Sequence, residues 1–167
     1  MRFKDAAGNH PAIQAFIENA FRMLQGTHRL NLDSKNRVVL PAPLRRELPE
    51  GELSTMVLTT GRRAQWLQLW TRDSWDGRVD EIYAKFDPDD EEAENYIRDV
   101  MASATPVDLD KQYRFVVPDA RRKEIGIGKE VVFIGMKDQI EIWPGEAWDV
   151  RQASREGKQE PPRSRGP

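Results

Sequence analysis

The stretch Leu32-Asp33-Ser34-Lys35-Asn36-Arg37-Val38-Val39-Leu40-Pro41 returns later in the same chain as Leu109-Asp110-Lys111-Gln112-Tyr113-Arg114-Phe115-Val116-Val117-Pro118. The offset is a constant 77 residues, and it holds through Arg45/Arg122, Glu47/Glu124 and Leu48/Ile125. After a shortened turn the offset becomes 73, which pairs Trp70 with Trp143 and Trp75 with Trp148. Chance does not restore two tryptophans at the same separation. The chain is a duplicated module, and its fold follows from what one module can and cannot bury.

Each module reads alike. Arg29–Leu32 alternates polar and apolar residues as a half-buried strand does, Asp33–Asn36 is a polar turn, and Arg37–Leu40 is an apolar strand. Pro41 ends that strand, and Pro43 suits the first turn of a short helix through Leu48. Thr55–Thr60 and Gln65–Trp70 are β-rich runs joined across Gly61-Arg62-Arg63, a hairpin pattern. Thr71 stands at a helix N-cap, with Trp75, Val79, Ile82 and Phe86 following at helical spacing. The second copy offers Glu130–Gly135, a tighter turn at Lys137-Asp138, Gln139–Trp143 and a last helix from about Pro144. Four short strands leave unpaired edges in an isolated module. Two copies are therefore expected to complete one another as an α+β protein with a small, closed, pseudo-twofold β-barrel.

Outward from the modules the chain is less regular. Asp87–Ala102 reads as a connecting helix, with acids in its first turns where the helix dipole favours them and Tyr96, Val100 and Met101 as an apolar stripe. Ahead of the first module, Ile13, Phe16, Ile17, Ala20, Phe21 and Leu24 fall at helical spacing behind Pro11. Three readings stay open there: a docking helix, a helix packed on its own domain, or an extension ahead of an original start at Met23. The organisation is thus an N-terminal extension (1–22), a first module (23–75), connecting helices (76–103), a second module (104–150) and a basic tail (151–167) expected to be disordered.

Composition narrows the chemistry. The 167 residues carry a net charge of −2, 38% hydrophobic and 32% charged residues, the balance of a globular domain with solvated faces. The absence of cysteine excludes a disulfide framework, a thiolate metal site and a cysteine nucleophile, and His10 and His28 alone cannot build a histidine cage. No apolar run approaches the ~20 residues that cross a bilayer, and the amino-terminal residues have no signal-peptide core. A cytoplasmic location is expected. The charge is also segregated. Residues 87–94 hold six acids and no base, while His28–Leu48 and the tail are rich in Arg and Lys. Such segments can turn a positive face toward a polyanion.

No phosphate-binding loop, nucleophile elbow or dinucleotide fingerprint is present. Gly126-Ile127-Gly128 follows a short helix and reads as a helix stop. An enzyme finds no support, and neither a cofactor nor a small-molecule substrate is implied. What recurs is Asp-x-x-x-Arg, as Asp33…Arg37 and Asp110…Arg114. An arginine at the start of a strand, beside Lys35 or Lys111, offers a forked donor to phosphates or guanine edges. The aspartate would orient the arginine or fold the turn. A structural ion pair that closes the loop is compatible with the same residues.

These residues resemble the MraZ family, the tandem-repeat members of the AbrB/SpoVT swapped-hairpin superfamily. The resemblance runs from Met23-Leu24-Gln25-Gly26 through both Asp-x-x-x-Arg modules to Lys129–Gly135, Ile140–Trp143 and Trp148. It implies a swapped-hairpin barrel and a nucleoid-associated transcriptional regulator acting near the promoter of the division and cell-wall gene cluster. It also implies a ring-shaped homo-oligomer that binds direct repeats in duplex DNA. Carried over, Arg37 and Arg114 contact DNA with Lys35, Asn36 and Lys111 assisting, while Trp70, Trp75, Trp143 and Trp148 pack. Two positions depart from the family: its glycine before each arginine is Asn36 in one module and Tyr113 in the other. Asn tolerates positive φ, whereas Tyr is costly there. The second loop is therefore open to another conformation, or to a Tyr113 contact with the sugar–phosphate backbone, and Arg37 carries more weight than Arg114. The rival reading is an AbrB-like antitoxin-type module that captures a partner protein.

Overall fold

A computed structural model describes residues 23–87 and 89–157. The helix expected within residues 1–22 and the end of the tail lie outside the described residues. The first module forms β1 (Thr27–Asn31), β2 (Arg37–Val39), the short α1 (Ala42–Arg45), β3 (Thr55–Thr60) and β4 (Leu67–Trp70). Two helices follow, α2 (Arg72–Lys85) and α3 (Glu91–Ser103). The second module repeats the pattern as β5 (Thr105–Asp108), β6 (Arg114–Val116), α4 (Asp119–Glu124), β7 (Glu130–Gly135) and β8 (Gln139–Pro144), closing with α5 (Gly145–Arg155).

Six strands form one antiparallel sheet in the order β1-β7-β8-β4-β3-β5, and β2 pairs with β6 in a separate two-stranded ribbon. The order is unchanged when the modules are exchanged and the sheet is read backwards, so a pseudo-twofold axis passes between β8 and β4. Each module lends its first strand to the other. Among the described residues β1 pairs only with β7, from Thr27 opposite Ile134 to Asn31 opposite Glu130, and β5 only with β3, from Thr55 opposite Asp108 to Leu58 opposite Thr105. The closed barrel expected above is an open sheet, with β1 and β5 at its edges. β1 is five residues long and β5 four, and among the described residues each finds a partner along one side only.

The core lies between the sheet and the ribbon. Leu58, Leu67, Leu69, Phe133, Ile140 and Ile142 meet Val38, Leu40, Phe115 and Val117, all at 2% exposure or less. Phe115 and Phe133 pack edge to face with centroids 6.4 Å apart. Alternation along β2 and β6 sends Val38 and Phe115 inward. Local signals place the helices. The Thr71 hydroxyl accepts from the Ser74 amide at 3.2 Å to start α2, and the Asp90 carboxylate accepts from the Glu92 amide at 2.9 Å to start α3. Gly126, at φ +73°, terminates α4, while the Ile127 amide returns to the Arg122 carbonyl at 2.9 Å.

Several boundaries differ from the sequence reading. α1 stops at Arg45 rather than Leu48, and α3 begins at Glu91 rather than Asp87 because Asp90 takes the cap. The apolar stripe of α3 is also corrected. Tyr96 and Met101 are 42% and 43% exposed, while Ala93 is buried and Val100 packs inward. At the other end, α5 runs on to Arg155, so residues 151–155 of the expected tail are helical.

Candidate nucleic-acid interface

The two Asp-x-x-x-Arg turns fold by one plan. Asp33 Oδ1 accepts from the amides of Lys35 and Arg37, each at 2.9 Å, and Oδ2 accepts from Arg37 Nε at 2.8 Å. Asp110 Oδ1 accepts from the amides of Gln112 (2.8 Å) and Arg114 (2.9 Å), and Oδ2 from Arg114 Nε at 2.8 Å. The main chain closes each turn twice. The Asn36 amide donates to the Asp33 carbonyl and the Asp33 amide to the Arg37 carbonyl, with Tyr113, Asp110 and Arg114 repeating both bonds. Both carboxyl groups are held below the usual aspartate range, first by the backbone amides of Arg37 and Arg114 and then by their side chains.

This arrangement has a chemical consequence. Each aspartate engages the guanidinium of its arginine through Nε alone, so that group is fixed in direction while its two terminal nitrogens have no protein partner among the described residues. Those nitrogens form a planar fork of N–H donors, matched to two acceptors side by side. The structural ion pair and the outward-facing fork are the same object.

The ribbon then brings the two forks together. Arg37 lies opposite Val116, and Arg114 opposite Val39. Residues opposite one another share a face, so Arg37, Val39, Arg114 and Val116 all project from the outer side of the ribbon. The arginines are diagonal neighbours there, a relation that separates Cα atoms by about 7–8 Å. Val39 is 37% exposed and Val116 50%, which leaves apolar surface between and beside the forks. Period-two alternation from Arg37 and Arg114 is the sequence signal that puts these valines on the arginine face. Lys35 and Lys111 are exposed at the turns, and Asn36 and Tyr113 are half-buried behind the arginines.

Tyr113 corrects one expectation. It adopts φ +60°, the same left-handed conformation as Asn36 at +58°, so the second loop does not depart from the first. A left-handed non-glycine residue costs about 1–2 kcal/mol. Here the ring packs against the main core and lies under Arg45, whose Cζ is 4.0 Å from the ring centroid. Its carbonyl accepts from the Leu40 amide at 2.8 Å, as the Asn36 carbonyl accepts from Val117 at 2.9 Å. Other bases of the same segments are likewise committed to protein partners. Arg29 donates to Glu130 at 2.6 Å and to Asp149 at 2.5 Å, pinning β1 to β7 and α5. Arg122 binds Asp119 and the Ile127 carbonyl. The expected packing role of the tryptophans is visible in two clusters, Trp70 with Trp75 and Trp143 with Trp148.

No group of three or more His, Cys, Asp or Glu among the described residues is arranged to hold a metal ion. No helix among them is long and apolar enough to cross a membrane.

Fold and turns together define a tandem-repeat protein whose two halves exchange strands and present paired, aspartate-held arginine forks. The family model described as "MraZ protein, putative antitoxin-like" matches residues 23–96 and again 100–164. The chain belongs to the MraZ family. It is 34% identical over 134 residues to the transcriptional regulator MraZ of Arthrobacter sp. (strain FB24), covering 80% of this chain and 90% of that one. The transcriptional regulator MraZ of Clostridium botulinum (strain Eklund 17B / Type B) is 36% identical over 127 residues, covering 75% and 84%. The MraZ protein of Caldanaerobacter subterraneus is 34% identical over 127 residues, covering 76% and 85%.

Proposed function

We propose that the protein is a sequence-specific DNA-binding transcriptional regulator whose β2–β6 ribbon enters the major groove. The observation that supports this reading is the pair of Nε-anchored arginines on one ribbon face. A two-stranded ribbon fits the major groove, and an arginine fork matches the O6 and N7 acceptors of guanine. Arg37 and Arg114 would read bases, while Lys35 and Lys111 would meet phosphates. Asn36 and Tyr113 would hold the turns. The names of the relatives support regulation of transcription.

One ribbon makes few base contacts, each good bidentate pair supplying about 1–3 kcal/mol of discrimination. Specific binding therefore calls for several ribbons on one duplex. A ring-shaped homo-oligomer on direct repeats supplies them, since linked sites raise effective concentration without new contacts. The same reading places the protein on the nucleoid in the cytoplasm, acting near the promoter of the division and cell-wall gene cluster. Exchange of β1 and β5 between the modules supports a swapped-hairpin description of the fold.

The test is a salt series of binding between the full chain and duplex from its own upstream region, with unrelated duplex of equal length as competitor. Tight, salt-sensitive, competitor-resistant binding is the expected result. Equal, weak binding to both duplexes would overturn the reading.

A further inference from the structure

The outer face of the β2–β6 ribbon carries four side chains in a two-by-two pattern, Arg37 and Val39 from one repeat and Arg114 and Val116 from the other. Each arginine has a valine across from it, Arg37 opposite Val116 and Arg114 opposite Val39. The flanking main-chain bonds fix what kind of pairs these are. The Val117 amide donates to the Asn36 carbonyl and the Leu40 amide to the Tyr113 carbonyl, so 36 with 117 and 40 with 113 are hydrogen-bonded pairs. Alternation along an antiparallel ladder then makes Arg37 with Val116, and Val39 with Arg114, the non-hydrogen-bonded kind. In such pairs the Cα atoms stand about 4.5 Å apart and the side chains are closest. Each valine thus stands beside the other repeat's arginine.

The core has no use for these two valines. Val38 and Phe115, their neighbours along the strands, are 2% and 1% exposed, whereas Val39 is 37% and Val116 50% exposed. A single exposed valine is ordinary on a strand, where β-branching is favoured. Val39 and Val116, however, are equivalent positions of the two repeats, at the same offset of 77 residues as the arginines. The ribbon therefore offers two donor forks and two apolar groups, alternating around one pseudo-twofold centre.

The major groove has a counterpart for each. Guanine presents the O6 and N7 acceptors there, and thymine alone among the four bases presents a methyl group, on C5. Neighbouring bases of a strand are about 3.4 Å apart along the helix axis, close to the separation of an arginine from the valine opposite it. A fork on one base leaves the paired valine over the next.

Resting on the reading of the ribbon as a major-groove element, we infer that Val39 and Val116 are specificity-determining residues that contact the methyl groups of thymines adjacent to the guanines met by Arg114 and Arg37. The ribbon then selects thymine beside guanine, a preference that the arginines alone do not supply.

Deoxyuridine lacks only this methyl group and keeps the hydrogen-bonding edge of thymidine. The full chain and the double variant Val39→Ser with Val116→Ser are titrated against duplex from the chain's own upstream region, made once with thymine and once with uracil throughout. The unaltered chain should bind the uracil duplex about fourfold more weakly for each methyl group it covers. The serine variant should bind both duplexes alike. Equal binding of the unaltered chain to the two duplexes would overturn the role of the valines and leave the ribbon's place in the groove standing. An undiminished difference in the serine variant would assign the effect to duplex shape and overturn the inference as well. Failure of the unaltered chain to prefer the thymine duplex over unrelated duplex would overturn the reading of the ribbon itself, and this inference with it. The uracil comparison is made on the unaltered chain, so it decides whether or not the serine variant folds.

Discussion

Arg45 of the first repeat lies 4.0 Å above the ring of Tyr113 in the second. One contact thereby ties α1 to the opposite Asp-x-x-x-Arg turn and offsets the unfavourable backbone of that turn. A cation over an aromatic face contributes about 0.5–1 kcal/mol at exposed sites, and the ring's own burial adds to it.

Tyr113→Ala keeps the left-handed strain and loses the packing, so it should destabilise the protein by about 1–2 kcal/mol. Tyr113→Gly loses the same packing but relieves the strain, so it should destabilise less than the alanine variant. Asn36→Gly should change stability by under about 1 kcal/mol, since asparagine already tolerates the conformation. Urea denaturation of the three variants checks the order. A glycine variant at 113 less stable than the alanine variant would refute the strain argument.

Arg37→Ala and Arg114→Ala should weaken specific DNA binding to similar extents, because the two turns share one hydrogen-bond geometry. Loss of one bidentate base contact corresponds to about 1–3 kcal/mol, and loss of a phosphate contact makes the salt slope shallower by about 0.9. Fluorescence anisotropy across a salt series separates the two effects. Wild-type affinity in either variant would remove that arginine from the interface.

Acid should loosen the turns. Asp33 and Asp110 have folded-state values lowered beneath the ordinary one, mainly by the amides of Arg37 and Arg114. The folded state thus binds protons less readily than the unfolded chain at these groups. Their contribution is complete above the ordinary aspartate range and is lost as pH falls through the lowered values. The double variant Asp33→Asn with Asp110→Asn should show a flatter stability profile below about pH 4 than wild type. Thermal unfolding between neutral and strongly acidic buffers measures this, and parallel profiles would count against it.

Gly135 is fixed by close approach rather than by its own backbone angle. An added Cβ would stand 2.2 Å from the Gln25 amide nitrogen, a main-chain atom that cannot rotate away. Gly135→Ala should therefore push residues 24–25 off β7 and cost about 1–3 kcal/mol, typical of overpacking. Hydrogen exchange at the Leu24 and Lys137 amides should rise in step with the lost stability. Protection equal to wild type would mean that the strand tolerates the methyl group.

The sequence by itself determined the duplication, the strand and helix types, the capping role of Thr71 and the terminating role of Gly126, because these depend on residues near one another in the chain. Alternation and helical spacing report which face of an element is apolar, and the spacing of Asp33 from Arg37 is short enough for side chain and backbone to meet within one turn. Tertiary structure alone decided what lies across from each face. Nothing local tells β1 to pair with β7 instead of staying with its own module, or leaves the sheet open between β1 and β5. The same holds for Arg45 lying over Tyr113 and Arg29 reaching Glu130 and Asp149. It holds too for the α3 stripe, where Val100 packs on the first repeat's tryptophans while Tyr96, beside Phe86, and Met101 stay exposed. Long-range pairing is chosen by the total surface the two repeats bury together, a quantity no short window of sequence contains.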